Sequence, residues 1–139
     1  MQPGSSSSVE AGLEVTRETT AEAVGSGDLP VLATPALLAV VERAAVRAAA
    51  PHVPPGHTSV GTAVELHHTA PTPVGGRVLA RVWLERVEAG RLRFSFVVED
   101  EAGEVARGTH ERAVVERERF VARVEARRAG GPPEGKELA

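Results

Sequence analysis

Between Thr34 and Pro51 the chain reads TPALLAVVERAAVRAAAP, and only Glu42, Arg43 and Arg47 in that stretch carry charge. Thr34 reads as the N-cap and Pro35 as the first helical residue, with helix formers up to a terminating proline. A helix that is apolar nearly all the way round has to be surrounded, because no single neighbour covers every face. Arg43 and Arg47, four apart, mark the one edge suited to water. Glu42 is rotated by about 100° from Arg43 and shares a stripe with Leu38, Ala45 and Ala49. A carboxylate is thus expected among apolar neighbours, where it costs several kcal/mol unless paired, and where partial burial shifts it toward acid–base work.

What surrounds the helix must come from the rest of 139 residues, enough for one domain. Upstream, VEAGLEVTRETT alternates as a strand does, whereas AEAVGSGDLPVLATP has no period and reads as a loop or lid. Downstream, TSVGTAVELHHT, RVLARVWLERVEA, RLRFSFVVEDE and EVARGTHERAVVERERF read as four strands, with hairpin turns at EAGR and DEAGE. One strand, one helix and an antiparallel meander predict an α+β fold in which a sheet wraps a single central helix. The domain is expected over residues 9–125, with loose ends at 1–8 and 126–139, where small, polar, Gly and Pro residues gather.

Composition removes several function classes. There is no cysteine, hence no disulfide, thiolate metal site or cysteine nucleophile. A net charge of −3 provides no basic footprint for nucleic acid, and no apolar run is long enough to span a bilayer. The first residues, MQPGSSSSVE, lack the apolar core of a secretion signal, so a cytoplasmic protein is expected. Lys136 is the only lysine among 16 basic residues, a bias that points to a GC-rich genome and, against the lysine enrichment of thermophiles, to a hot habitat. Neither HxH nor HExxH spacing occurs, so no metal is expected, and the GxSxG and GxGxxG signatures are missing too.

The stretch VELHHTAPTPVGG sets two histidines side by side at a strand end. By alternation Val60, Thr62, Val64, Leu66 and His68 share one face, and Gly61, Ala63, Glu65 and His67 the other. His68 is therefore expected to face the helix, and His67 to lie with Glu65 on the polar side. A helix-facing histidine can simply be satisfied by a carbonyl, and Glu42 can simply pair with Arg112, which shares a strand face with Val114. The strand-end position favours chemistry for His68.

Four stretches in this order, LATPALLAVVERAAVRAAAP, SVGTAVELHHTAPTPVG, RVEAGRLRFSFVVEDEAGEVARG and GTHERAVV, resemble the hot-dog-fold fluoroacetyl-CoA thioesterase family. They span most of residues 30–120. The resemblance implies hydrolysis of acyl-CoA to a carboxylic acid and free coenzyme A, without a cofactor. It also implies a homodimer, or a dimer of dimers, whose sheets pair edge to edge with active sites at the subunit interface. By motif position Thr34, Glu42 and His68 match the family's catalytic residues, and Gly61 and Arg112 match positions that line the site and contact ligand. Thr34 is expected to hold Glu42 by its hydroxyl. The relative selective for a fluorinated substrate is expected to carry a phenylalanine in its lid; here AEAVGSGDLPVLATP has no aromatic residue, which implies a short or broad acyl preference. The alternative is a non-catalytic acyl-CoA-sensing module of the same fold.

Overall fold

The computed structural model describes residues 8–130; the expectations for residues 1–7 and 131–139 lie outside them. In chain order the elements are β1 (Val9–Glu14), α1 (Ala21–Val24), α2 (Thr34–Ala49), β2 (His57–His68), β3 (Arg77–Glu88), β4 (Arg91–Asp100), β5 (Gly103–Glu116) and α3 (Arg117–Gly130). All strand pairs are antiparallel and the sheet order is β1-β3-β4-β5-β2, which leaves β1 and β2 at the edges.

The wrapped-helix architecture expected from the sequence is the one observed. Leu37, Val40, Val41, Ala44, Ala45 and Ala49 recur at three- and four-residue intervals and form the buried face of α2. Opposite them the sheet supplies Val78, Ala80 and Val82 from β3 and Leu92, Phe94, Phe96 and Val98 from β4, at the two-residue period of a half-buried strand. Phe94 and Phe96 are the largest of the fully buried side chains, and truncating either to alanine costs about 3–5 kcal/mol. The β3–β4 turn at Ala89 and Gly90 has φ of 52° and 80°, the two consecutive positive values of a type I′ hairpin.

Three expectations need correction. The last strand does not run to Phe120: β5 ends at Glu116, whose partner His57 begins β2, so no strand remains to pair with. The chain turns there into α3, which crosses the expected boundary at residue 125 and buries none of its residues. The second correction is to AEAV, read as loop, which forms the single turn α1 because the Thr20 hydroxyl caps it by accepting from Ala23 N–H at 3.2 Å. The third is that α2 is not covered all round: Pro35, Ala39 and Val46 are exposed and Leu38 and Glu42 only half-buried, a stripe left open in the single chain. Arg43 and Arg47 reach β1 instead, where they donate to the carbonyls of Gly12 (3.5 Å) and Glu10 (2.6 Å).

Candidate active site

The helix-facing side of β2 is set by a bulge. Gly61 pairs with Arg112 and Ala63 with Glu111, so Thr62 is the extra residue and the alternation reverses across it. Gly61 therefore joins Val64, Leu66 and His68 on the inner face, across from Arg112, His110, Gly108 and Ala106 of β5. Plain period-two alternation put Gly61 on the opposite face from His68; one unpaired residue brings them together. His67 stays outside, its Nε2 at 3.0 Å from Glu65, with both side chains well exposed.

The expected site residues fall into two groups along α2. At its first turn the Thr34 hydroxyl lies 2.8 Å from His68 Nδ1. Thr34 is not the N-cap: Ala33 is, with extended φ and ψ and no side-chain bond, so the hydroxyl is free for the imidazole. His68 Nε2 is buried and finds no hydrogen-bond partner among the described residues. Burial pushes the His68 pKa below the ordinary histidine range, and the Ala70 backbone opposes that shift. Ala21, Ser26, Val31 and Leu32 complete a cleft of about 290 Å³ around the pair.

The second group lies two helical turns on. Glu42 Oε2 is 3.5 Å from Arg112 Nη1, an ion-pair distance rather than a tight hydrogen bond. The pairing with Arg112 read from the sequence is therefore present. The carboxylate is less buried than expected, with its side chain 42% exposed. It opens on a separate hollow of about 230 Å³ formed with Leu38, Gly61, Val64 and His110. A Cβ on Gly61 would stand 2.7 Å from Glu42 Oε2, so a larger residue there would push the carboxylate from its present place against the strand.

Arg112 is held on several sides. Its Nε donates to the Ser59 hydroxyl (3.0 Å), Nη2 to the Ser59 carbonyl (3.1 Å) and Nη1 to His110 Nε2 (3.2 Å). Burial lowers the Arg112 pKa, and Glu42 opposes it. His110 is only 2% exposed, and the sequence reading passed over it and Ser59 alike. The signal was available in GTHERA, where His110 sits two residues from Arg112 at the period of the buried face.

The eight residues from Thr34 to Glu42 rise about 12 Å along a helix. Within one chain the Thr34 hydroxyl thus binds His68 and not Glu42, contrary to the expectation that it orients the carboxylate. A larger concavity of about 660 Å³, lined by charged residues such as Glu85, Arg86 and Arg91, contains none of the three.

Comparison with known proteins adds an independent line. The family model described as fluoroacetyl-CoA-specific thioesterase matches residues 15–118. A fluoroacetyl-CoA thioesterase from Streptantibioticus cattleyicolor is 42% identical over 101 residues, 73% of either chain. Among solved structures, a fluoroacetyl-CoA thioesterase superposes with a TM-score of 0.81 at 34% identity, covering 91% of this chain and 97% of its own. A phenylalanine-to-alanine variant of a fluoroacetyl-CoA-specific thioesterase, in complex with fluoroacetate and CoA, gives 0.79 at 36% identity over 88% and 98%. A hot-dog-like protein from Thermanaerovibrio acidaminovorans gives 0.81 at 29% identity over 94% and 96%.

Proposed function

The chain belongs to the fluoroacetyl-CoA-specific thioesterase family and hydrolyses an acyl-CoA thioester to a carboxylic acid and free CoA; we propose that Thr34, Glu42 and His68 carry the reaction, in a homodimer whose two copies complete each other's sites. The observation that carries this reading is the Thr34–His68 hydrogen bond at a cleft, with the second imidazole nitrogen buried and unpartnered. Such a pair suits proton transfer, and burial keeps the imidazole neutral and ready to accept.

The missing acid argues for the second copy. One chain holds Glu42 about 12 Å along the helix from Thr34. Edge strand β2 is 12 residues long, and its Val64, with Ala39 and Val46 of α2, lies exposed. An uncovered edge and an uncovered apolar stripe are what an isologous interface would bury. Antiparallel pairing of two β2 strands about a two-fold axis runs the two α2 helices in opposite directions. Glu42 of the partner subunit then approaches the Thr34 end.

In that site Glu42 either attacks the thioester carbon, expelling the thiolate and forming an anhydride that water then cleaves, or takes the proton of the water that attacks that carbon. Negative charge develops on the carbonyl oxygen, and the N–H groups of Thr34 and Ala36 in the first turn of α2 would receive it. His68, steadied by Thr34, takes up the proton that the attacking water gives up and passes it to the thiolate sulfur. Gly61 and Arg112 position Glu42. Residues 21–33 contain no aromatic side chain, which supports a short or broad acyl range over selectivity for a fluorinated one.

The test is release of free thiol from a panel of acyl-CoAs by wild type, His68→Ala, His67→Ala and Glu42→Gln, each checked for fold. Turnover by wild type and by His67→Ala alone supports the assignment. Loss in the His67 variant with retention in the His68 variant would sink it.

A further inference from the structure

We infer that His110 is a positioning residue: it holds the Arg112 guanidinium against Glu42 by accepting from it in one fixed tautomer. The inference rests on the thioesterase reading of Glu42 but concerns a residue outside the three that carry the reaction.

The tautomer follows from the partners. His110 Nδ1 lies 2.9 Å from the Ala63 carbonyl, which can only accept, so Nδ1 carries the hydrogen. Nε2 is then a bare acceptor, and Arg112 Nη1 donates to it at 3.2 Å. Phe94 stacks on the imidazole at 6.0 Å between centroids and an interplanar angle of 26°, which fixes the ring plane. The ring is 2% exposed, and the charged groups facing it are Arg112, Glu42 at 4.0 Å, and Glu111. Burial and Arg112 both disfavour its protonation, against the Ala63 carbonyl and the two carboxylates.

A protonated His110 would turn an N–H toward the guanidinium and push it away. A neutral one keeps Nη1 aimed between His110 and Glu42 while Ser59 holds the other two nitrogens. The acceptor on the histidine side is thus what directs the free end of Arg112 to the carboxylate. The bulge at Thr62 has a part in this, because it sets the backbone on either side so that Ala63 presents its carbonyl to His110.

Two amides separate positioning from packing. In His110→Gln the longer side chain puts an acceptor near the old Nε2, within reach of Arg112. In His110→Asn the amide stays near the old Nδ1, so the bond to Ala63 survives and the one to Arg112 does not. The expected result is a fall in kcat of at least about tenfold for the Asn variant, with KM within about twofold, and recovery of most of it in the Gln variant. Arg112→Lys added to His110→Asn should lose little more, because both changes break one unit.

Equal kcat in the two amide variants, or fully additive losses with Arg112→Lys, would overturn the inference. If wild type releases no thiol, the thioesterase reading fails, and nitrogen-15 NMR decides this inference by itself. A wild-type His110 with hydrogen on Nδ1, and slowly exchanging Arg112 guanidinium hydrogens that persist in the Gln but not the Asn variant, support it. Hydrogen on Nε2 refutes it.

Discussion

Two polar clusters sit on the same helix and the same sheet face, and they are built differently. The Thr34–His68 pair has one hydrogen bond and one orphaned nitrogen, and lies in an open cleft. Arg112 makes hydrogen bonds to Ser59 and His110 through all three of its nitrogens and is buried. Several hydrogen bonds fix the guanidinium, whereas the hydroxyl–imidazole pair keeps one hydrogen-bonding position open. On the proposed roles, the difference separates a frame that must not move from groups that would change partners during a reaction.

The largest effect should come from groups that act in the open part of the site. Glu42→Gln and His68→Ala are each expected to lower kcat by about two to four orders of magnitude, the usual range for general acid–base groups, in a thiol-release assay. His67→Ala should stay within about twofold, because its side chain faces solvent beside Glu65.

The frame should respond in stability. Arg112→Ala leaves Ser59 and His110 without their donors, and is expected to cost about 1–3 kcal/mol, read as a lower urea midpoint at unchanged m. Thr34→Ala, an exposed hydroxyl, should cost about 0.5 kcal/mol or less while still impairing turnover. A larger stability loss at Thr34 than at Arg112 would reverse the contrast.

Both clusters contain a histidine whose pKa burial lowers, with the same sign of linkage. Below the ordinary histidine value of about 6.5 the unfolded chain takes up protons that the folded chain refuses. Stability therefore rises with pH up to that value and falls as acid protonates both. Unfolding midpoints across this range should flatten partly in His110→Gln. The activity of wild type should rise with pH through an apparent pKa below the ordinary one, as His68 loses its proton.

The smallest effect is a control away from both clusters. Ala89 has φ of 52°, so Ala89→Gly should relieve strain worth about 0.5 kcal/mol net of the added chain entropy and leave kcat unchanged.

Much of this was legible in the sequence because it rests on periodicity. The apolar run of α2 and the alternation of Leu92, Phe94, Phe96 and Val98 fixed the wrapped architecture, and alternation alone separated His68 from His67. What escaped reading depends on three-dimensional partners. A bulge at Thr62 leaves no mark on composition, yet it moves Gly61 to the inner face. The end of β5 is decided by where β2 begins, not by residues 117–120, and a buried His110 looks no different in sequence from an exposed one until its neighbours are known. The open stripe of α2 escaped because apolarity says that a face needs cover, not which chain provides it.

The central claim is that Glu42 and the Thr34–His68 pair meet across two subunits, and complementation tests it most directly. Glu42→Gln and His68→Ala chains, each inactive alone, would be co-expressed and assayed for thiol release. Random pairing makes half the dimers mixed, each with one intact composite site, so about a quarter of wild-type activity should return. If the mixture stays as inactive as its parents while mass spectrometry shows mixed dimers, the acid and the histidine act within one chain, and the account is wrong.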